Sequence, residues 1–559
     1  MDKFRQAFEE WCDLAIEDQD LQDELKNMSQ SDIEDAFYRD LAFGTGGLRG
    51  IIGAGTNRMN IYTVAKASQG LSEYIKQRCP KEKQSVVIGY DSRNKSDLFA
   101  HTAASVFAAN NISVYFWETL LPVPTVSYAV RKLRAFAGIM ITASHNPAVY
   151  NGYKVYGSDG CQITTEAASD ILTEIEKIDI FRGIKKENFD TALLEGKIKY
   201  IREDVLNSFL EEVKKQSVVQ EQIDRSVAIV YSPLNGTGRI PVTRVLKETG
   251  FTNITMVKEQ EMPDGNFPTC PFPNPEIREA MELGIEYARR ENADLLLATD
   301  PDCDRCGIAV KNVNGDYQLL TGNETGILLF DFICAQRLKK GTMPEHPVLI
   351  KTIVTTDMGE QIANHYGVKT INVLTGFKFI GEQIGFLEKK GEEERYIFGF
   401  EESYGYLSGG YVRDKDAVGA AFLICEMFAY YKKHGINLLE KLEELYKTYG
   451  YRLNTLHSYE FDGAVGYSKM QNIMDRFRRG IQQLGGKKVR ETLDFSKGIE
   501  NLPKSDVLKY LLDGSCSVVV RPSGTEPKLK IYISVSSDSM EHASEEEKVL
   551  AKELEAYMD

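Results

Sequence analysis

Three aspartates at every second position of the stretch TDPDCDRCG indicate a site for a divalent metal ion. Alternate side chains of an extended loop point to the same side, so Asp300, Asp302 and Asp304 turn their carboxylates toward one point. Carboxylate oxygens are the ligands that Mg²⁺ prefers in proteins. A calcium-binding helix–loop–helix site is excluded, because Arg305 and Lys311 stand where its loop requires glycine and glutamate. The sequence therefore predicts a magnesium site in this loop.

A serine followed directly by a histidine, in the stretch TASHNP, suggests a hydrolase at first sight. The glycine-flanked nucleophile turn of such enzymes is absent, since Ala143 precedes Ser144. Neighbouring side chains of an extended backbone also point apart, so His145 is not expected to act as the base for Ser144. Beside a metal site, the serine is instead predicted to carry and transfer a phosphoryl group, while Arg305 and Lys154 offset its charge.

Two further stretches have the composition of phosphate-binding loops. RPSGTEPKLKIY supplies a guanidinium, two hydroxyls, a turn glycine and an ammonium group, which together can surround a phosphate. These groups belong to Arg521, Ser523, Gly524, Thr525 and Lys528. The alternative is a hairpin whose polar tip faces water. FGTGGLRG places three glycines around Thr45 and then Arg49, without the spacing of a Walker loop or a dinucleotide fingerprint.

Two stretches are candidates for contacts with a polyol. GFEESYGY places Glu401 and Ser403 on the same side of a strand end, where both can bind neutral hydroxyl groups; the alternative is a solvated acidic surface. LTGFKFIGEQ adds Thr375, Gly376 and Lys378, a glycine turn and a cation that can bind phosphate or sugar. For Lys378 the alternative is an ordinary surface lysine.

The most distinctive of these motifs directly follow apolar runs that alternate with amphipathic helical segments. The strand-like runs are SVVIGYD, AGIMITA, SVAIVYSPLNG, ADLLLATD, HPVLIKTIVTTD and RYIFGFEE. Strands alternating with helices predict an α/β fold with mixed or parallel sheets. Ligands of such sheets bind beyond the carboxyl ends of the strands. We therefore expect the polar motifs to meet in one interdomain cleft.

The chain is long enough for several domains, because one hydrophobic core rarely serves more than about 250–300 residues and this chain has 559. We predict three α/β domains and a smaller C-terminal α+β domain around a central cleft. The predicted bounds are 1–205, 206–322, 323–450 and 451–559.

The two ends of the chain differ from the alternating pattern. Residues 1–40 have helical periodicity, with Ser31 and Glu34 as a capping box, and are expected to pack on the first domain. Residues 467–484 also have helical periodicity, and two strand-like runs flanking a Pro/Gly-rich turn follow them.

The composition excludes several classes of protein. A formal net charge of -15 leaves no overall basic surface, so nucleic acid is not an expected partner. The N-terminus is acidic where a signal peptide is basic, and no segment has about 18 uninterrupted apolar residues, so a cytoplasmic protein without membrane contact is expected. Nine scattered cysteines fit reduced thiols, and the lone pair Cys303 and Cys306 is a weak indication of zinc or redox chemistry.

TASHNP with YNGYKVY, then DPDCDR, EESYG and RPSGTEPKLKIY, in this order, resemble the motifs of the α-D-phosphohexomutases. The resemblance covers nearly the whole chain after residue 40. It implies four domains, three α/β and a smaller C-terminal α+β one, around a deep central cleft. It also implies an intramolecular phosphotransferase of the isomerase class, which interconverts 1-phospho and 6-phospho sugars through a bisphosphate that reorients in the cleft.

The resemblance implies a role for individual residues of this sequence. Ser144 would be the phosphoserine, and Mg²⁺ would be held by the phosphate of Ser144 with Asp300, Asp302 and Asp304. Charge balance or proton transfer is implied for Arg49, His145, Lys154 and Lys378. Sugar hydroxyls and the distal phosphate would be bound by Arg305, Thr375, Gly376, Lys378, Glu401, Ser403, Arg521, Ser523, Gly524 and Thr525. The general acid and base are left unassigned.

Departures from the common pattern bear on the substrate. Phe400 stands where many members have glycine, and Tyr404 follows the serine; with the N-terminal helices, these features are similar to the phosphoglucomutase branch, which includes phosphopentomutase-like members. The implied reaction converts glucose 1-phosphate to glucose 6-phosphate, with glucose 1,6-bisphosphate as intermediate and activator. The expected partners are small sugar phosphates, and the expected state is a monomer, with a dimer as the alternative.

Several alternatives stay open. Within the same family they are a phosphomannomutase, a phosphopentomutase and a glucose 1,6-bisphosphate synthase. A Mg²⁺-dependent sugar phosphatase would use the same loops but transfer the phosphoryl group to water. A non-catalytic sugar-phosphate binding protein is the remaining class.

Overall fold

The structure is a computed structural model that describes residues 3–461, 463–499, 502–522 and 528–558. It contains four β-sheets that follow one another along the chain, with helices packed against them. Among the described residues, no helix is long and apolar enough to cross a membrane.

Three helices precede the first sheet: α1 (Lys3–Leu14), α2 (Gln19–Asn27) and α3 (Gln30–Phe37). The indole of Trp11 in α1 is buried, and it packs edge-on against the rings of Phe37 in α3 and Phe181 of the first domain. Buried aromatic pairs of this geometry stabilise a contact by more than the burial of their apolar area alone would give. The N-terminal helices are therefore docked on the first domain.

The capping box of α3 consists of Ser29 and Asp32, so the prediction of Ser31 and Glu34 is wrong. Ser29 Oγ accepts the backbone N–H of Asp32, and the Asp32 carboxylate accepts that of Ser29. Gln30 is the first helical residue, so Ser31 already lies inside the first turn and cannot occupy the cap position.

The first sheet has six strands: β1 (Leu48–Ile51), β2 (Ser85–Tyr90), β3 (Ser113–Phe116), β4 (Ala137–Ile141), β5 (Tyr150–Gly157) and β6 (Ile198–Tyr200). Its helices are α4 (Ile61–Arg78), α5 (Ser96–Ala109), α6 (Val123–Leu133), α7 (Thr165–Glu176), α8 (Phe189–Leu194) and α9 (Glu203–Lys214). The order is β1-β5-β4-β2-β3-β6. The four strands β4, β2, β3 and β6 are parallel to their neighbours in this group, whereas β5 pairs antiparallel with both β4 and β1.

The second sheet has five strands: β7 (Ile229–Ser232), β8 (Ile254–Met256), β9 (Leu295–Thr299), β10 (Cys306–Lys311) and β11 (Tyr317–Leu320). Its helices are α10 (Arg239–Glu248), α11 (Lys258–Glu261) and α12 (Arg278–Arg290). The order is β11-β10-β9-β7-β8, with parallel pairs on both sides of β7 and antiparallel pairs on both sides of β10.

The third sheet has four strands: β12 (Val348–Thr352), β13 (Lys369–Val373), β14 (Tyr396–Glu401) and β15 (Gly405–Leu407). Its helices are α13 (Gly322–Lys340), α14 (Met358–His365), α15 (Phe377–Lys389), α16 (Ala417–Lys433) and α17 (Leu438–Tyr449). The order is β13-β12-β14-β15, and β15 is the antiparallel member.

The fourth sheet is antiparallel: β16 (Tyr451–Glu460), β17 (Gln483–Leu484), β18 (Lys487–Asp494), β19 (Leu508–Leu512), β20 (Cys516–Pro522) and β21 (Lys528–Ser537), in the order β16-β21-β20-β19-β18-β17. Its helices are α18 (Gly463–Arg478) and α19 (Met540–Glu555). The helix predicted over 467–484 ends at Arg478, because a short hairpin begins at Gln483. Single-turn helices lie at Lys81–Lys83, Glu393–Arg395 and Phe495–Lys497.

Three of the polar motifs, TASHNP, DPDCDR and EESYG, lie at the turns of the antiparallel hairpins β4–β5, β9–β10 and β14–β15; β20 and β21, which flank the fourth motif, RPSGTEP, also pair antiparallel. In the first three sheets, the leading strand of the hairpin also belongs to the parallel part of the sheet. The predicted α/β architecture with a C-terminal α+β domain is confirmed, and each of its first three sheets is mixed.

The first three sheets share one apolar core, in which buried residues of β2, β7 and β12 belong to a single cluster. The fourth sheet has a separate core with α18 and α19. A small cluster that includes Ile353 and Tyr532 joins it to the third sheet. The first three sheets are therefore held by common packing, and the fourth sheet is attached through a smaller apolar contact.

Candidate active site

Ser144 lies in the turn between β4 and β5, and the loop is tied down by a buried arginine. The guanidinium of Arg93 donates hydrogen bonds to the backbone oxygens of Ser144, Pro147 and Tyr150. Ser144 is buried and has a left-handed φ of 53°, an uncommon backbone conformation for a residue other than glycine. The turn therefore holds the Ser144 hydroxyl in one place.

Ser144 and His145 lie side by side, so the prediction that their side chains point apart is wrong. Ser144 Oγ is 3.1 Å from His145 Nδ1. The prediction assumed extended backbone, but the left-handed φ of Ser144 bends the chain between the two residues. Burial, and then the charges of Arg305 and Arg49, lower the pKa of His145 well below its usual value, so its ring is neutral near pH 7.

The three aspartates occupy the turn of the β9–β10 hairpin, next to Ser144. Asp300 Oδ1 accepts the backbone N–H groups of Asp304 at 3.0 Å and Arg305 at 2.9 Å, which closes the turn. Asp300 Oδ2 accepts the hydroxyl of Ser144 at 2.9 Å. One oxygen from each of Asp300, Asp302 and Asp304 lies within 4.8 Å of the other two. The fold thus brings the serine and the aspartates of two different domains into direct contact.

The aspartate triad fits a divalent metal ion by its charge and by its unused oxygens. Asp302 Oδ1 and Asp304 Oδ1 are buried and have no hydrogen-bond partner among the described residues. Buried carboxylate oxygens without partners are costly unless a cation binds them. Burial, and then the charges of Asp302 and Asp304, raise the pKa of Asp300 well above its usual value. A bound cation would relieve both of these penalties.

Lys154 of β5 supplies a positive charge beside the triad. Its Nζ lies 2.8 Å from Asp302 Oδ2 and 3.3 Å from Asp304 Oδ2, and its side chain is buried. Burial opposes the charge of this ammonium group, but the two carboxylates outweigh burial and raise the pKa of Lys154. Lys154 is therefore a permanently charged part of the site.

Lys415, just before α16, is a site residue that the sequence analysis missed. Its Nζ lies 3.3 Å from Asp304 Oδ2, 3.5 Å from Asp414 Oδ1 and 3.7 Å from Glu401 Oε1. This ammonium group therefore connects the metal-binding turn of the second domain to the β14–β15 turn of the third. The signal in the sequence is the charged run VRDKD directly before the apolar helix α16.

Arg305 closes the metal-binding turn and pairs with Glu276, which precedes α12. Its Nε lies 3.9 Å from Asp304 Oδ1. Burial opposes the guanidinium charge, but Glu276 and Asp304 outweigh it and raise the pKa of Arg305. Arg305 therefore adjoins the aspartate triad, and Glu276, which the sequence analysis did not identify, fixes its orientation.

Glu401 and Ser403 lie at the turn of the β14–β15 hairpin. Ser403 Oγ donates a hydrogen bond to Glu401 Oε1 at 3.1 Å. Glu401 is buried, so a solvated acidic surface does not describe it. In this arrangement the carboxylate and the oxygen of the hydroxyl offer acceptors to the hydroxyl groups of a ligand.

Lys378 and Arg521 bring two positive charges together from the third and fourth domains. Lys378 lies in the first turn of α15. The helix begins directly after Gly376, whose φ of 118° favours glycine. Burial, and then the charge of Arg521, lower the pKa of Lys378 to about 8. Thr375 Oγ1 is buried without a hydrogen-bond partner in the described part of the chain. An anion bound here would be favoured by both cations.

Arg521 is the residue before the last of β20 and lies opposite Lys530 of β21. Ser523, Gly524 and Thr525, which were predicted to complete this phosphate-binding loop, lie outside the described residues, and their role stays a prediction. Lys528, at the start of β21, pairs with Glu460 at 2.6 Å.

Arg49 lies on the edge strand β1 and reaches the Ser144 turn. Its Nη1 donates to Asn146 Oδ1 at 3.2 Å. Positive charge thus approaches the serine from the outer edge of the first sheet.

The Ser144 turn is also joined to the turn that contains the three aspartates. The hydroxyl of Thr142 donates to Asp302 Oδ2 at 3.1 Å.

Asp91 and Arg93, which follow β2 in the stretch YDSRN, also belong to the site and were missed. Arg93 N–H donates to Asp91 Oδ1 at 2.9 Å, and both side chains are buried. The expectation that ligand-binding residues follow the carboxyl ends of parallel strands identifies this pair as well as it does the motifs of the first three sheets.

Cys303 and Cys306 are buried free thiols inside and after the metal-binding turn. Burial raises the pKa of both, which disfavours the thiolate that metal binding or redox exchange requires. Where the chain is described, the aspartate triad is the only group of three or more acidic, histidine or cysteine side chains with metal-binding spacing.

The chain matches four domain profiles of one protein family. They are "Phosphoglucomutase/phosphomannomutase, alpha/beta/alpha domain I" at residues 40–181, domain II at 207–315, domain III at 321–449 and the C-terminal domain at 478–552.

Curated relatives agree with these profiles. The phosphoglucomutase of Staphylococcus aureus strain MSSA476 is 37% identical over 524 residues, which cover 90% of this chain and 92% of the relative. That of strain USA300 is 36% identical over 534 residues, which cover 92% of this chain and 94% of the relative.

Solved structures share the fold. A phosphoglucomutase/phosphomannomutase family protein from Burkholderia thailandensis has a TM-score of 0.68 at 17% identity, with 92% of this chain and 97% of that chain covered. The parafusin structure from Paramecium, in its open form, has a TM-score of 0.68 at 17% identity, with 93% and 94% covered. The profile matches and the identity over nine-tenths of the chain establish that the chain belongs to the phosphoglucomutase/phosphomannomutase family.

Proposed function

We propose that the protein is a phosphoglucomutase, an isomerase that moves a phosphoryl group between the 1- and 6-positions of glucose. The observation that carries the proposal is the contact of Ser144 Oγ with Asp300, at the point where the turns of two domains meet. The phosphoglucomutases of Staphylococcus aureus, 36–37% identical to this chain, support the choice of glucose. Mannose, ribose and deoxyribose phosphates remain the alternatives for the substrate assay.

The reaction runs through a phosphoserine at Ser144. The bond between phosphorus and Ser144 Oγ breaks as a hydroxyl oxygen of the sugar monophosphate bonds to phosphorus; the sugar hydroxyl gives its proton to a base, and Ser144 Oγ takes up a proton as it leaves. The product, glucose 1,6-bisphosphate, reorients, and its other phosphoryl group returns to Ser144 Oγ. In this step Ser144 Oγ gives up its proton and the leaving sugar oxygen takes one, which releases the second monophosphate. Lys154 and Arg305 offset the negative charge of the transferred group.

His145 is placed to handle a proton at the serine. Its Nδ1 lies 3.1 Å from Ser144 Oγ. Because burial and neighbouring guanidinium groups keep the ring neutral near pH 7, His145 has one N–H donor and one acceptor nitrogen. We propose that the Nδ1–H group of His145 donates to Ser144 Oγ, whose own hydroxyl donates to Asp300, and stabilises this oxygen as it leaves phosphorus.

Asp300, Asp302 and Asp304 are proposed to hold Mg²⁺, and the unpartnered oxygens of Asp302 and Asp304 support this choice. When bound, Mg²⁺ supplies positive charge to the oxygens of the transferred phosphoryl group. Lys154 and Lys415 keep the neighbouring carboxylates in place and limit the repulsion among them.

The other predicted residues are proposed to hold the sugar phosphate. Glu401 and Ser403 would contact the sugar hydroxyls, because the buried Glu401 carboxylate and the half-buried Ser403 oxygen can accept hydrogen bonds from them. Lys378 and Arg521 would bind the phosphate that is not transferred, and Thr375, Gly376, Ser523, Gly524 and Thr525 would line this part of the cleft.

The division into four domains, at 1–205, 206–322, 323–450 and 451–559, is part of the same proposal. Each of the four profile matches falls in a different one of these domains, except that residues 321 and 322 of the third match lie in the second domain.

A substrate panel tests the proposed function. We expect purified protein to convert glucose 1-phosphate to glucose 6-phosphate, to be stimulated by glucose 1,6-bisphosphate, and to release little inorganic phosphate. The same assay with mannose, N-acetylglucosamine, ribose and deoxyribose phosphates should give a lower kcat/KM. Rapid release of phosphate without isomerisation would instead establish a sugar phosphatase.

The pKa of Lys378, lowered to about 8, predicts a pH dependence of substrate binding. Lys378 is charged below this value and neutral above it, so the KM for glucose 1-phosphate should rise as pH increases through 8. At pH 9 about 90% of the group is neutral, so KM should be up to about 10-fold higher than at pH 7. Lys378→Arg keeps the charge and should flatten the rise. Lys389→Arg, at an exposed position of the same helix, should retain the wild-type profile.

A further inference from the structure

The N-terminal helices pack against the loop 52–60, which follows β1. Glu24 of α2 accepts the backbone N–H of Ala54 through Oε2 at 3.0 Å. These helices lie before residue 40, where the family profile begins. A part of the chain outside the matched domains thus holds a loop of the first domain.

Helices and loop are in close contact at two glycines. A Cβ added at Gly53 would lie 2.7 Å from Glu24 Oε1, and one at Gly55 would lie 2.6 Å from the carbonyl oxygen of Ala36 in α3. That carbonyl oxygen also accepts the backbone N–H of Asn57 at 2.9 Å. Because no space separates the two surfaces, a shift of the helices is passed to the loop.

The 52–60 loop leads directly to an arginine of the active site. The backbone N–H of Ile52 donates to the carbonyl oxygen of Val149, in the β4–β5 turn, at 2.8 Å. Strand β1 is the edge strand of its sheet, with β5 as its neighbour. Three residues before Ile52, Arg49 donates from Nη1 to Asn146 Oδ1 at 3.2 Å. The position of Arg49 thus depends on what anchors the end of this edge strand.

We propose that Glu24 is a positioning residue for Arg49. By accepting the N–H of Ala54, Glu24 fixes the 52–60 loop, and the loop fixes the edge strand from which Arg49 reaches the phosphoserine turn. The inference rests on the proposed function, because it requires that phosphoryl transfer uses the charge of Arg49. A misplacement of about 1 Å can lower a rate by on the order of 100-fold, so an indirect contact of this kind is measurable.

The test is mutase turnover by Glu24 variants of the full-length protein. Glu24→Ala removes the acceptor of the Ala54 N–H, and we expect kcat to fall by about 10- to 100-fold with a smaller change in KM, because Arg49 lies at the serine and not at the sugar-binding turn. Glu24→Gln keeps an acceptor oxygen and should stay within about 3-fold of wild type. Glu24→Asp keeps the charge on a shorter side chain, so its kcat should lie between those of the alanine and glutamine variants. This variant replaces Glu24→Ala in the test if the alanine variant does not fold.

The matched control is Glu17→Ala. Glu17 lies in the same N-terminal segment, but its carboxylate pairs with Lys186 at 2.8 Å and makes no hydrogen bond to the 52–60 loop among the described residues. Surface ion pairs contribute little to stability, so this variant should retain wild-type kcat. Equal losses in Glu17→Ala and Glu24→Ala would overturn the proposal in favour of a general effect of the N-terminal helices on folding.

A double-mutant cycle separates positioning from stability. If Glu24 acts through Arg49, then Glu24→Ala combined with Arg49→Ala should be no slower than Arg49→Ala alone, within about 2-fold. Multiplied losses, or a Glu24→Ala variant as fast as wild type, would overturn the inference. An inactive wild-type protein would instead contradict the proposed mutase function, so the two failures are distinguishable.

Discussion

Ser144→Ala protein should convert glucose 1-phosphate about 10⁴- to 10⁶-fold more slowly than wild type, because removal of a covalent nucleophile costs rates of this size. In the described part of the chain, Ser144 Oγ, at 2.9 Å, is the only hydroxyl oxygen hydrogen-bonded to Asp300 Oδ2. Intact-mass measurement after incubation with glucose 1,6-bisphosphate gives an independent readout. Wild type should carry one added phosphoryl group, and the variant should carry none.

The control for this experiment is Ser158→Ala, at an exposed position after β5. This variant should turn over at the wild-type rate and should still accept one phosphoryl group. Substitutions at exposed positions outside helix caps, the core and buried polar networks usually change stability by less than about 0.5 kcal/mol. A Ser144→Ala protein that still accepts one phosphoryl group, or that turns over at the wild-type rate, would rule out Ser144 as the carrier.

Asp302→Asn should weaken Mg²⁺ binding by at least about 100-fold. Mutation of a residue that only orients a metal ligand already lowers metal affinity or activity by about 10- to 100-fold, and Asp302 is proposed to be a ligand itself. The substitution replaces one carboxylate of the triad with a neutral amide. It also leaves Lys154, which lies 2.8 Å from Asp302, with less opposite charge in a buried site. Mutase activity should fall with metal affinity, and excess Mg²⁺ should restore part of it.

Metal removal and a distant aspartate complete this test. EDTA should abolish wild-type turnover, and Mg²⁺ should restore it. Asp316→Asn, in the β10–β11 turn of the same domain, has a side chain that is 71% exposed and should behave as wild type. Calorimetric titration of Mg²⁺ into Asp302→Asn that gave the wild-type affinity would exclude Asp302 as a ligand.

The elements that carry the motifs were predictable because their signals are local. Runs such as AGIMI and LLLAT are buried strands with no charged residue, and each is followed at once by polar residues that cannot continue a buried strand. The polar residues then had to lie at the strand ends. Since ligands of α/β sheets bind there, a common cleft for the serine and the aspartates followed from sequence alone.

Backbone conformation inside the turns was not predictable in the same way. Ser144 has a left-handed φ of 53°, which no residue type at this position indicated, and this places His145 against its hydroxyl. The conformation is maintained by Arg93, more than 50 residues earlier in the chain, through hydrogen bonds to the loop oxygens. A local pattern cannot specify a bend that a distant side chain holds in place.

The chemical groups of this protein were evident from its sequence: a serine, three aspartates and several cations, at the ends of strands in an α/β fold. Which of these groups contact one another became evident only in the folded chain. Lys415 joins Asp304 to Glu401 across two domains, and Glu276 pairs with Arg305, although the sequence around Lys415 and Glu276 does not indicate these partners. The physical reason is that charge pairing acts over a few ångströms in space, and the packing of the first three domains on one core brings those charges within reach.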